Sequence, residues 1–466
     1  MIKALKMKKY TAYFVIPGLI LLLCLQCSNN PVLTIEGGKI TGVETETPGV
    51  FAYKGIPYAA PPVGELRWKE PQPVVPWDGI KVTDDFGPAA IQNDQVPGSF
   101  YQKEFFFTGD PVRSEDCLYL NIWTPSPGQP NKKLPVAMWI HGGAYMQGFG
   151  HEPEFDGEEW AKRNVILVTI NYRLGMLGFL AHPLLTEESP NNTSGNYGIL
   201  DQVAALKWIK NNIAQFGGDP DNVTIFGQSA GAGSVMNLVS SPLTTGMIQK
   251  AIIQSGGGLR GIGSPNTLKD AEQTGKEIVD LAGFSTLEEM RSCPADSLLK
   301  LLSKYMEIKK RWFMLSPNVD GYLNTESFSD FAKAGKLPDI QFMIGQTEND
   351  IGNIAPSIAD FCLLLEEQGR KPAYSYKFIR PLPGDSAGAF HSSELWYIFG
   401  TLDRCWRPLT EEDHVLSQKM VDYWTNFTTY GNPNGKTYSE WKPYTKDSKY
   451  VEILDIEPQE SGHPDK

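Results

Sequence analysis

A serine between two glycines constrains this chain more than any other feature. Ser229 lies in the sequence G-Q-S-A-G at 227–231, directly after the apolar run 223–226 and before the small residues of 232–239. Strand, sharp turn and helix are the context in which G-x-S-x-G projects a nucleophilic serine above a sheet. Such a turn needs glycine or equally small flanking residues, and it aims the N–H of Ala230 at a developing oxyanion. The sequence therefore predicts acyl transfer at Ser229.

The chain contains a second copy of this motif at 384–388, with Ser386 at its centre. A proline-containing segment precedes it instead of a strand, and no clear helix opens after it. Because the motif has meaning only between a strand and a helix, we interpret Ser386 as a loop serine.

Apolar runs with the length of a strand recur along the chain, and each ends at polar or glycine-rich residues. They are Leu134 to Ile140, Val165 to Ile170, Val223 to Phe226, Ala251 to Gln254, Ile340 to Ile344 and Ala373 to Phe378. Continuous hydrophobicity without alternation is typical of strands covered on both faces. Helical patterns separate the runs, which predicts an α/β fold with a mostly parallel central sheet and helices on both faces.

Helical spacing indicates the main helices and a cap. Apolar residues recur every three or four positions from Leu200 to Phe216. The helical pattern of Val415 to Tyr430 ends at a Gly-Asn-Pro sequence. The segment 266–312 is rich in helical pattern and poor in strands, and we expect a helical cap there, beside the active site. No linker or repeat divides the chain, so the sequence predicts a single domain over 28–466.

Residues 1–27 resemble an export signal. Four lysines and no acidic residue precede Cys27, and an apolar stretch of 12 residues runs from 14 to 25. This short length and the Pro17-Gly18 pair argue against a membrane-spanning helix. Cys27 followed by Ser-Asn-Asn suggests a bacterial lipoprotein that is cleaved before Cys27 and lipidated on it. We therefore expect an exported protein, held in the periplasm or cell envelope by a lipid anchor or else secreted.

Charge and cysteine content narrow the possible partners. The net charge is −12, and loss of the four lysines of the signal would bring it near −16. Such an acidic chain is repelled by phosphate backbones and anionic membranes. We therefore expect no nucleic-acid partner, and membrane contact only through the lipid anchor. Four cysteines remain after the signal: Cys117, Cys293, Cys362 and Cys405. They allow three disulfide pairings or free thiols.

A nucleophilic serine requires a base, and the base requires an orienting acid. In this type of sheet the order along the chain is serine, acid, histidine. Of the six histidines only His391, His414 and His463 come late enough. His463 is in a charged tail and His414 follows three acidic residues as an exposed helix-start residue. His391 lies in a turn of small residues past a strand and is the predicted base.

The orienting acid should follow a strand end. Asp350 and Glu348 both come directly after the 340–344 run, and spacing alone does not choose between them. The oxyanion donors are expected earlier, in the Gly-rich turn His141-Gly142-Gly143-Ala144 after the 134–140 run. We expect His141 to brace this turn rather than to transfer protons. This chemistry needs neither a metal nor an organic cofactor.

Several long sequence segments are similar to the type-B carboxylesterase family, the cholinesterase-like α/β-hydrolases. The matching segments are 55–59, 61–64, 114–121, 171–175, 216–220 and 431–434, within about Ile35 to Tyr444. The aromatic-rich segment 100–107 either contacts aryl or lipid substrates at the entrance of the site or packs into the core. The resemblance implies the α/β-hydrolase fold and a serine carboxylesterase acting on small to medium esters. It implies Ser229 as nucleophile, His391 as base and Asp350 as acid. Gly143, Ala144 and Ala230 fall on its oxyanion-hole positions, with Gly142 beside them.

Three features depart from the family pattern. Gln228 stands where the family usually has glutamate, which removes a negative charge beside the nucleophile and weakens attraction for a cationic alcohol. Cys117 lacks its usual partner, because 90–92 reads Ala-Ile-Gln. The 41-residue interval from Asp350 to His391 is shorter than is usual. Since the missing segment normally surrounds the acyl side of the site, we expect a more open pocket that admits bulky or branched acyl groups.

Two other functions compete with this prediction. Residues 256–261 match the dinucleotide motif G-x-G-x-x-G after a strand, but that motif requires a helix to open at once, and Gly263 and Pro265 intervene. The second alternative is a non-catalytic, cholinesterase-like binding module. All three catalytic positions hold competent residue types, which favours an enzyme.

Overall fold

The computed structural model describes residues 30–261, 266–310, 315–435 and 438–457. The described strands are β1 (Val32–Ile35), β2 (Gly38–Thr41), β3 (Val43–Glu44), β4 (Phe51–Pro57), β5 (Ile80–Val82), β6 (Ala89–Ala90), β7 (Arg113–Ser114), β8 (Tyr119–Thr124), β9 (Leu134–Ile140), β10 (Ile166–Ile170), β11 (Gly218–Gln228), β12 (Lys250–Gln254), β13 (Asn266–Thr267), β14 (Asn318–Val319), β15 (Gln341–Thr347), β16 (Tyr374–Phe378) and β17 (Val451–Leu454).

The helices of the same ranges connect these strands. They are α1 (Phe100–Phe105), α2 (Glu158–Lys162), α3 (Gly175–Phe179), α4 (Pro183–Glu188), α5 (Tyr197–Asn212), α6 (Ala230–Ser240), α7 (Leu268–Ala282), α8 (Leu287–Ser292), α9 (Ala295–Lys309), α10 (Phe328–Lys333), α11 (Ala355–Glu367), α12 (Leu395–Phe399) and α13 (Glu411–Tyr430).

One ten-stranded sheet organises the described ranges, in the order β17-β16-β15-β12-β11-β9-β10-β8-β4-β3. The seven neighbouring strands β17, β16, β15, β12, β11, β9 and β10 pair in parallel. Strands β8, β4 and β3 continue the sheet beyond β10 in antiparallel pairs. The predicted mostly parallel sheet is therefore confirmed, with an antiparallel end formed by the first part of the chain. Because parallel neighbours end at one edge, the carboxyl ends of β9, β11, β12 and β15 lie together.

Helices cover both faces of this sheet, which is why its central strands are almost entirely apolar. In β9, Val136, Met138 and Ile140 join the core that contains α5 and α6, whereas Ala137 and Trp139 join the core that contains α12 and α13. All five side chains are fully buried. Alternate residues of a strand point to opposite faces, so both faces of β9 carry apolar side chains and its sequence is continuously hydrophobic.

The two long predicted helices are present with shifted ends. The first is α5, and its pattern continues to Phe216 as a short 3-10 turn that Gly217 ends in the left-handed conformation. The second is α13, which begins at Glu411 rather than Val415. Thr410 caps the helix through a capping box with Asp413. Because this first turn is polar, the spacing of hydrophobic residues does not reveal it.

The region expected to form a cap contains α7, α8 and α9. It also contains β13, which pairs with β14 in a two-residue parallel ladder. Helix α9 contacts α7 and α3, which fixes the region to the main body. No helix in the described ranges is both long enough and apolar enough to cross a bilayer. The predicted export signal and Cys27 lie outside the described residues, as does His463.

Candidate active site

Ser229 occupies a strained turn between β11 and α6. Its backbone angles are φ 58° and ψ −122°, a conformation that costs a non-glycine residue about 1–3 kcal/mol. The Ser229 N–H donates to the carbonyl of Gln254 at 2.9 Å, which ties the turn to the neighbouring strand β12. Ser229 itself is half-buried, so its hydroxyl is available to a ligand.

Both glycines of the motif are required by close backbone contacts. A Cβ atom on Gly231 would lie 2.0 Å from the carbonyl oxygen of Ile140, and one on Gly227 would lie 2.6 Å from the backbone of Gly231. Helix α6 therefore starts in direct contact with the end of β9. This packing brings the loop after β9 next to Ser229, because a Cβ atom on Gly142 would lie 3.2 Å from Ser229 Cβ.

His391 and Asp350 form a hydrogen-bonded pair at the same edge of the sheet. His391 Nδ1 lies 2.5 Å from Asp350 Oδ1, and both side chains are buried. Burial opposes ionisation of Asp350, but the hydrogen bond and charge of His391, with a further bond from the Ile351 N–H, lower its pKa below the usual value. Asp350 is therefore a carboxylate that accepts from the imidazole.

Glu348, the other candidate acid, lies elsewhere. Its carboxylate pairs with Lys377, and both side chains are partly exposed. Its N–H donates to the carbonyl of Phe378 in the neighbouring strand. The side chain at 348 is thus committed to a surface ion pair, whereas Asp350 turns inward to His391.

The second ring nitrogen of His391 faces Gln228, the residue before the candidate nucleophile. The Nε2 atoms of His391 and Gln228 are 3.1 Å apart, and Gln228 is 2% exposed. Within the described residues Ser229 Oγ makes no hydrogen bond. The geometry thus joins Asp350 to His391 directly and brings the imidazole beside the Ser229 turn without a serine–histidine hydrogen bond.

The Gly-rich turn after β9 adopts a conformation that exposes its amides. Gly143 and Ala144 have φ of 91° and 57°, and the Gly143 carbonyl accepts from Met146 and Gln147. In the described part of the chain, the N–H groups of Gly143, Ala144 and Ala230 donate to no protein acceptor. Unpaired amides beside a candidate nucleophile are the donors that an oxyanion requires.

His141 supports this turn from below. Its ring stacks on Tyr172 with 4.4 Å between centroids, and its Nδ1 lies 2.9 Å from the carbonyl oxygen of Gly142. Burial lowers the pKa of His141 to about 3, so the ring is neutral. Its position is that of a brace, as expected.

Sequence reasoning missed three side chains that hold the site. Gln92 clamps Gly148 in the loop after the oxyanion turn, accepting from its N–H at 2.9 Å and donating to its carbonyl at 3.0 Å. Ser255 and Glu394 are fully buried near Asp350, where burial and the charge of Asp350 raise the pKa of Glu394 to about 8. A distant amide or hydroxyl carries no local signal of such contacts.

The aromatic helix α1 lies against the histidine side of the site. Ser99 caps it by accepting from the Gln102 N–H. Phe100 packs edge-on against Phe390, the residue before His391, with 4.8 Å between ring centroids. Burial and the charges of Asp350 and Glu394 raise the pKa of Tyr101 to about 12. The first residues of the aromatic-rich segment 100–107 thus approach the site, while Phe105 and Phe106 pack into the core.

The remaining sequence candidates lie in other settings. Ser386 is exposed in a turn in which Asp385 caps Ala387, and no helix follows it. His414 is partly exposed in the first turn of α13. Residues 256–261 form a tight turn closed by a Gly257–Gly261 bridge rather than a helix start, which removes the geometry of a dinucleotide site. Cys117, Cys293, Cys362 and Cys405 are free thiols.

Comparisons with known proteins agree with the fold and chemistry of this site. The sequence profile of the carboxylesterase family matches residues 29–362 and 358–464. Para-nitrobenzyl esterase of Bacillus subtilis is 33% identical over 484 residues, covering 91% of this chain and 95% of that protein. Human cocaine esterase is 30% identical, covering 94% of this chain and 90% of that protein.

A more similar relative aligns over a shorter stretch. Fumonisin B1 esterase of Sphingopyxis macrogoltabida is 41% identical over 315 residues, which span 66% of this chain and 54% of that protein. Among solved structures, a thermophilic PNB esterase superposes with a TM-score of 0.83 at 30% identity, covering 94% of this chain and 98% of that one.

The predicted fold class and ester-hydrolase activity are confirmed by these matches, and the non-catalytic alternative is not favoured because the relatives are named esterases. The chain belongs to the carboxylesterase family and is a serine ester hydrolase with the α/β-hydrolase fold.

Proposed function

We propose that this enzyme hydrolyses carboxylic esters through an acyl intermediate on Ser229, with His391 as base and Asp350 as orienting acid. One observation carries the assignment: the His391 imidazole contacts Asp350 through one nitrogen and Gln228, the neighbour of Ser229, through the other. The bond to Asp350 fixes the tautomer with the proton on Nδ1 and leaves Nε2 to accept a proton.

Two chemical steps follow from this arrangement. Ser229 Oγ attacks the ester carbonyl while His391 Nε2 takes its proton, and the tetrahedral oxyanion accepts from the amides of Gly143, Ala144 and Ala230, with Gly142 beside them. His391 then protonates the leaving alcohol. Water repeats the sequence on the acyl-enzyme and releases the acid. Asp350 stays ionised throughout and stabilises the imidazolium.

The acyl side of the site is the basis for a substrate proposal. Between Asp350 and His391 the structure has one helix, α11, and one strand, β16. The first turn of α11 packs on the loop after β12, where Ser357 accepts from the Arg260 N–H at 2.7 Å. Ile351 is 58% exposed beside Asp350. This open rim supports bulky or branched acyl groups, and the relatives named for fumonisin B1 and para-nitrobenzyl esters are consistent with large ester substrates in general.

Hydrolysis of p-nitrophenyl acetate and butyrate by Ser229→Ala and Ser386→Ala variants tests the nucleophile. We expect Ser229→Ala to lose at least about 10³-fold in activity and to lose labelling by an organophosphate. Ser386→Ala should keep both activity and labelling. Survival of hydrolysis in Ser229→Ala would move the nucleophile elsewhere. A panel of linear and branched acyl esters tests the pocket, and a preference for acetate over branched esters would contradict the open-rim proposal.

We also propose that the enzyme is exported and anchored by lipid on Cys27. The lysine-rich start, the short apolar stretch and Cys27 itself support this proposal. Membrane-fraction protein from a bacterial host should begin at residue 27 with the mass of an acylated cysteine, and Cys27→Ser should move it to the soluble fraction. An unmodified mature start downstream of Cys27 would contradict the anchor and leave secretion as the alternative.

A further inference from the structure

The side-chain amide of Gln228 is enclosed between the catalytic imidazole and the oxyanion turn. Its Nε2 lies 3.1 Å from His391 Nε2. On the other side, a Cβ atom on Gly142 would lie 3.1 Å from Gln228 Oε1 and 2.8 Å from the Gln228 carbonyl oxygen. Gln228 is 2% exposed, so water does not compete freely for this contact.

The protonation pattern of His391 determines which group can occupy this position. Since Nδ1 faces a carboxylate, it carries the ring proton, and Nε2 presents a lone pair. An amide N–H can donate to that lone pair, whereas a carboxylate can only accept. A glutamate at position 228 would therefore require an added proton on the imidazole before the two groups could bond.

We propose that Gln228 is a positioning residue that donates to His391 Nε2 in the resting enzyme, holds the uncharged ring beside Ser229, and releases the Nε2 lone pair to the Ser229 O–H when substrate binds. This inference rests on the proposed function, since it assigns the imidazole the role of base. When His391 takes the serine proton, the amide can turn over and present Oε1 to the new N–H. Gln228 thus holds the ring in both states and adds no charge that would favour one of them.

The charges around His391 and Asp350 explain why an uncharged side chain at position 228 affects the protonation of His391. The titratable groups that face His391 and Asp350 are Tyr101 from α1, Tyr376 from β16 and Glu394 before α12. Burial raises the pKa of all three, so each is predominantly neutral at pH 7, and Asp350 supplies the one carboxylate among them. A second carboxylate at 3.1 Å would stabilise imidazolium strongly, since an opposite charge within 4–6 Å shifts a titration by about one to three pH units.

The test compares pH profiles of kcat/KM for the wild type and Gln228→Glu with p-nitrophenyl butyrate. We expect the acidic limb of the variant to lie at least about one pH unit higher, because its imidazole stays protonated to a higher pH. Gln249→Glu is the matched control. Gln249 accepts from the Val223 N–H at 2.8 Å, five residues before Gln228 along β11, so the same charge is added away from His391, and its limb should not move.

Gln228→Met removes the amide donor without adding charge. We expect kcat to fall about tenfold, because an unheld ring spends less time in position, while KM and the acidic limb stay unchanged. Coincident limbs for the wild type and Gln228→Glu, or a wild-type kcat in Gln228→Met, would overturn the proposal.

A direct titration separates this inference from the proposed function. In Ser229→Ala protein, the NMR signal of His391 Cε1, assigned with His391→Asn, should titrate at a higher pH when Gln228→Glu is added. This readout needs no turnover. Activity remaining in Ser229→Ala would refute the nucleophile assignment, whereas an unmoved His391 signal would refute the role of Gln228.

Discussion

Asp350 Oδ1 lies 2.5 Å from His391 Nδ1, although 41 residues separate the two in the chain. Asp350 follows β15 and His391 follows β16, and these strands are parallel neighbours. A bridge between Asn349 and Phe390 holds the two loops side by side. The pairing therefore follows from sheet topology, which brings the ends of adjacent parallel strands to one edge.

Comparison of Asp350→Asn with Glu348→Gln tests which acid orients the base. We expect Asp350→Asn to lower kcat by roughly 10³- to 10⁴-fold, because an amide can stabilise the wrong imidazole tautomer and cannot stabilise imidazolium. Glu348→Gln should keep kcat within about twofold, since it removes only an exposed ion pair with Lys377. Equal losses in the two variants would contradict the assignment.

The oxyanion turn depends on the absence of a side chain at Gly143. A Cβ atom there would lie 2.1 Å from the carbonyl oxygen of Gln147, so Gly143→Ala must open the turn and displace its amides. We expect kcat to fall about 10²- to 10³-fold with a smaller change in KM, because the lost hydrogen bonds act mainly in the transition state. Steady-state kinetics with p-nitrophenyl butyrate measure this.

Gly49→Ala is the control for that substitution. Gly49 has φ 82° and no atom within 4 Å of a built Cβ, so alanine there strains the backbone without displacing the site. Its kcat should equal that of the wild type. A comparable loss in both variants would show a general cost of alanine at positive φ rather than a role for the turn.

Strand positions could be predicted because the sheet is covered on both faces, which makes each central strand an apolar run. The run at 134–140 coincides with β9. The sequence predicts only 223–226 of strand β11, because the preceding residues 219–222 are polar. At that end of the strand Gly218 pairs with Leu134 of β9, and the register shifts before the pairing resumes at Val223. Backbone pairing without apolar side chains leaves no periodic signal.

The site could be predicted only where its chemistry is local. The turn that contains Ser229 is specified by residues adjacent to it in the sequence. The Gly-rich turn is also recognisable locally, because it directly follows one strand. The choice of Asp350 over Glu348 came from family resemblance, because both are carboxylates past the same strand. The contact of Gln228 with His391, 163 residues apart, depends on the assembled sheet edge and has no counterpart in the local sequence.

The buried Glu394 should make stability depend on pH. Burial raises its pKa from 4.5 to about 8, so the folded protein keeps a proton that the unfolded chain releases. Its contribution to stability is complete below about pH 4.5 and is lost as the pH rises to about 8. Over that window the free energy of unfolding falls by an amount of the order of a few kcal/mol.

Glu394→Gln removes this dependence because an amide does not ionise. Urea unfolding at several pH values should show the variant gaining stability relative to the wild type between pH 5 and pH 8, with the largest difference at pH 8. A difference that is constant with pH would contradict the titration of Glu394 in this range.

The free thiols should differ in reactivity. Burial raises the pKa of Cys117 and Cys362, and both lie in the core, whereas Cys293 is only partly buried. Because the thiolate is the reactive form, iodoacetamide at pH 8 should label Cys293 first and leave Cys117 and Cys362 unmodified in the native protein. Peptide mass spectrometry measures the order, and early labelling of Cys117 would contradict its burial.

The aromatic residues near the site offer a final test of substrate contact. Phe100 and Phe107 are similarly exposed, at 38% and 40%, but Phe100 packs against Phe390 beside His391, whereas Phe107 lies against Trp396. We expect Phe100→Ala to raise KM for 2-naphthyl esters about tenfold relative to ethyl esters of the same acid, since a lost aromatic contact costs on the order of 1 kcal/mol. Phe107→Ala should leave that ratio unchanged. An equal effect of the two substitutions on the ratio would mean that Phe100 supports the fold and does not contact the aryl group.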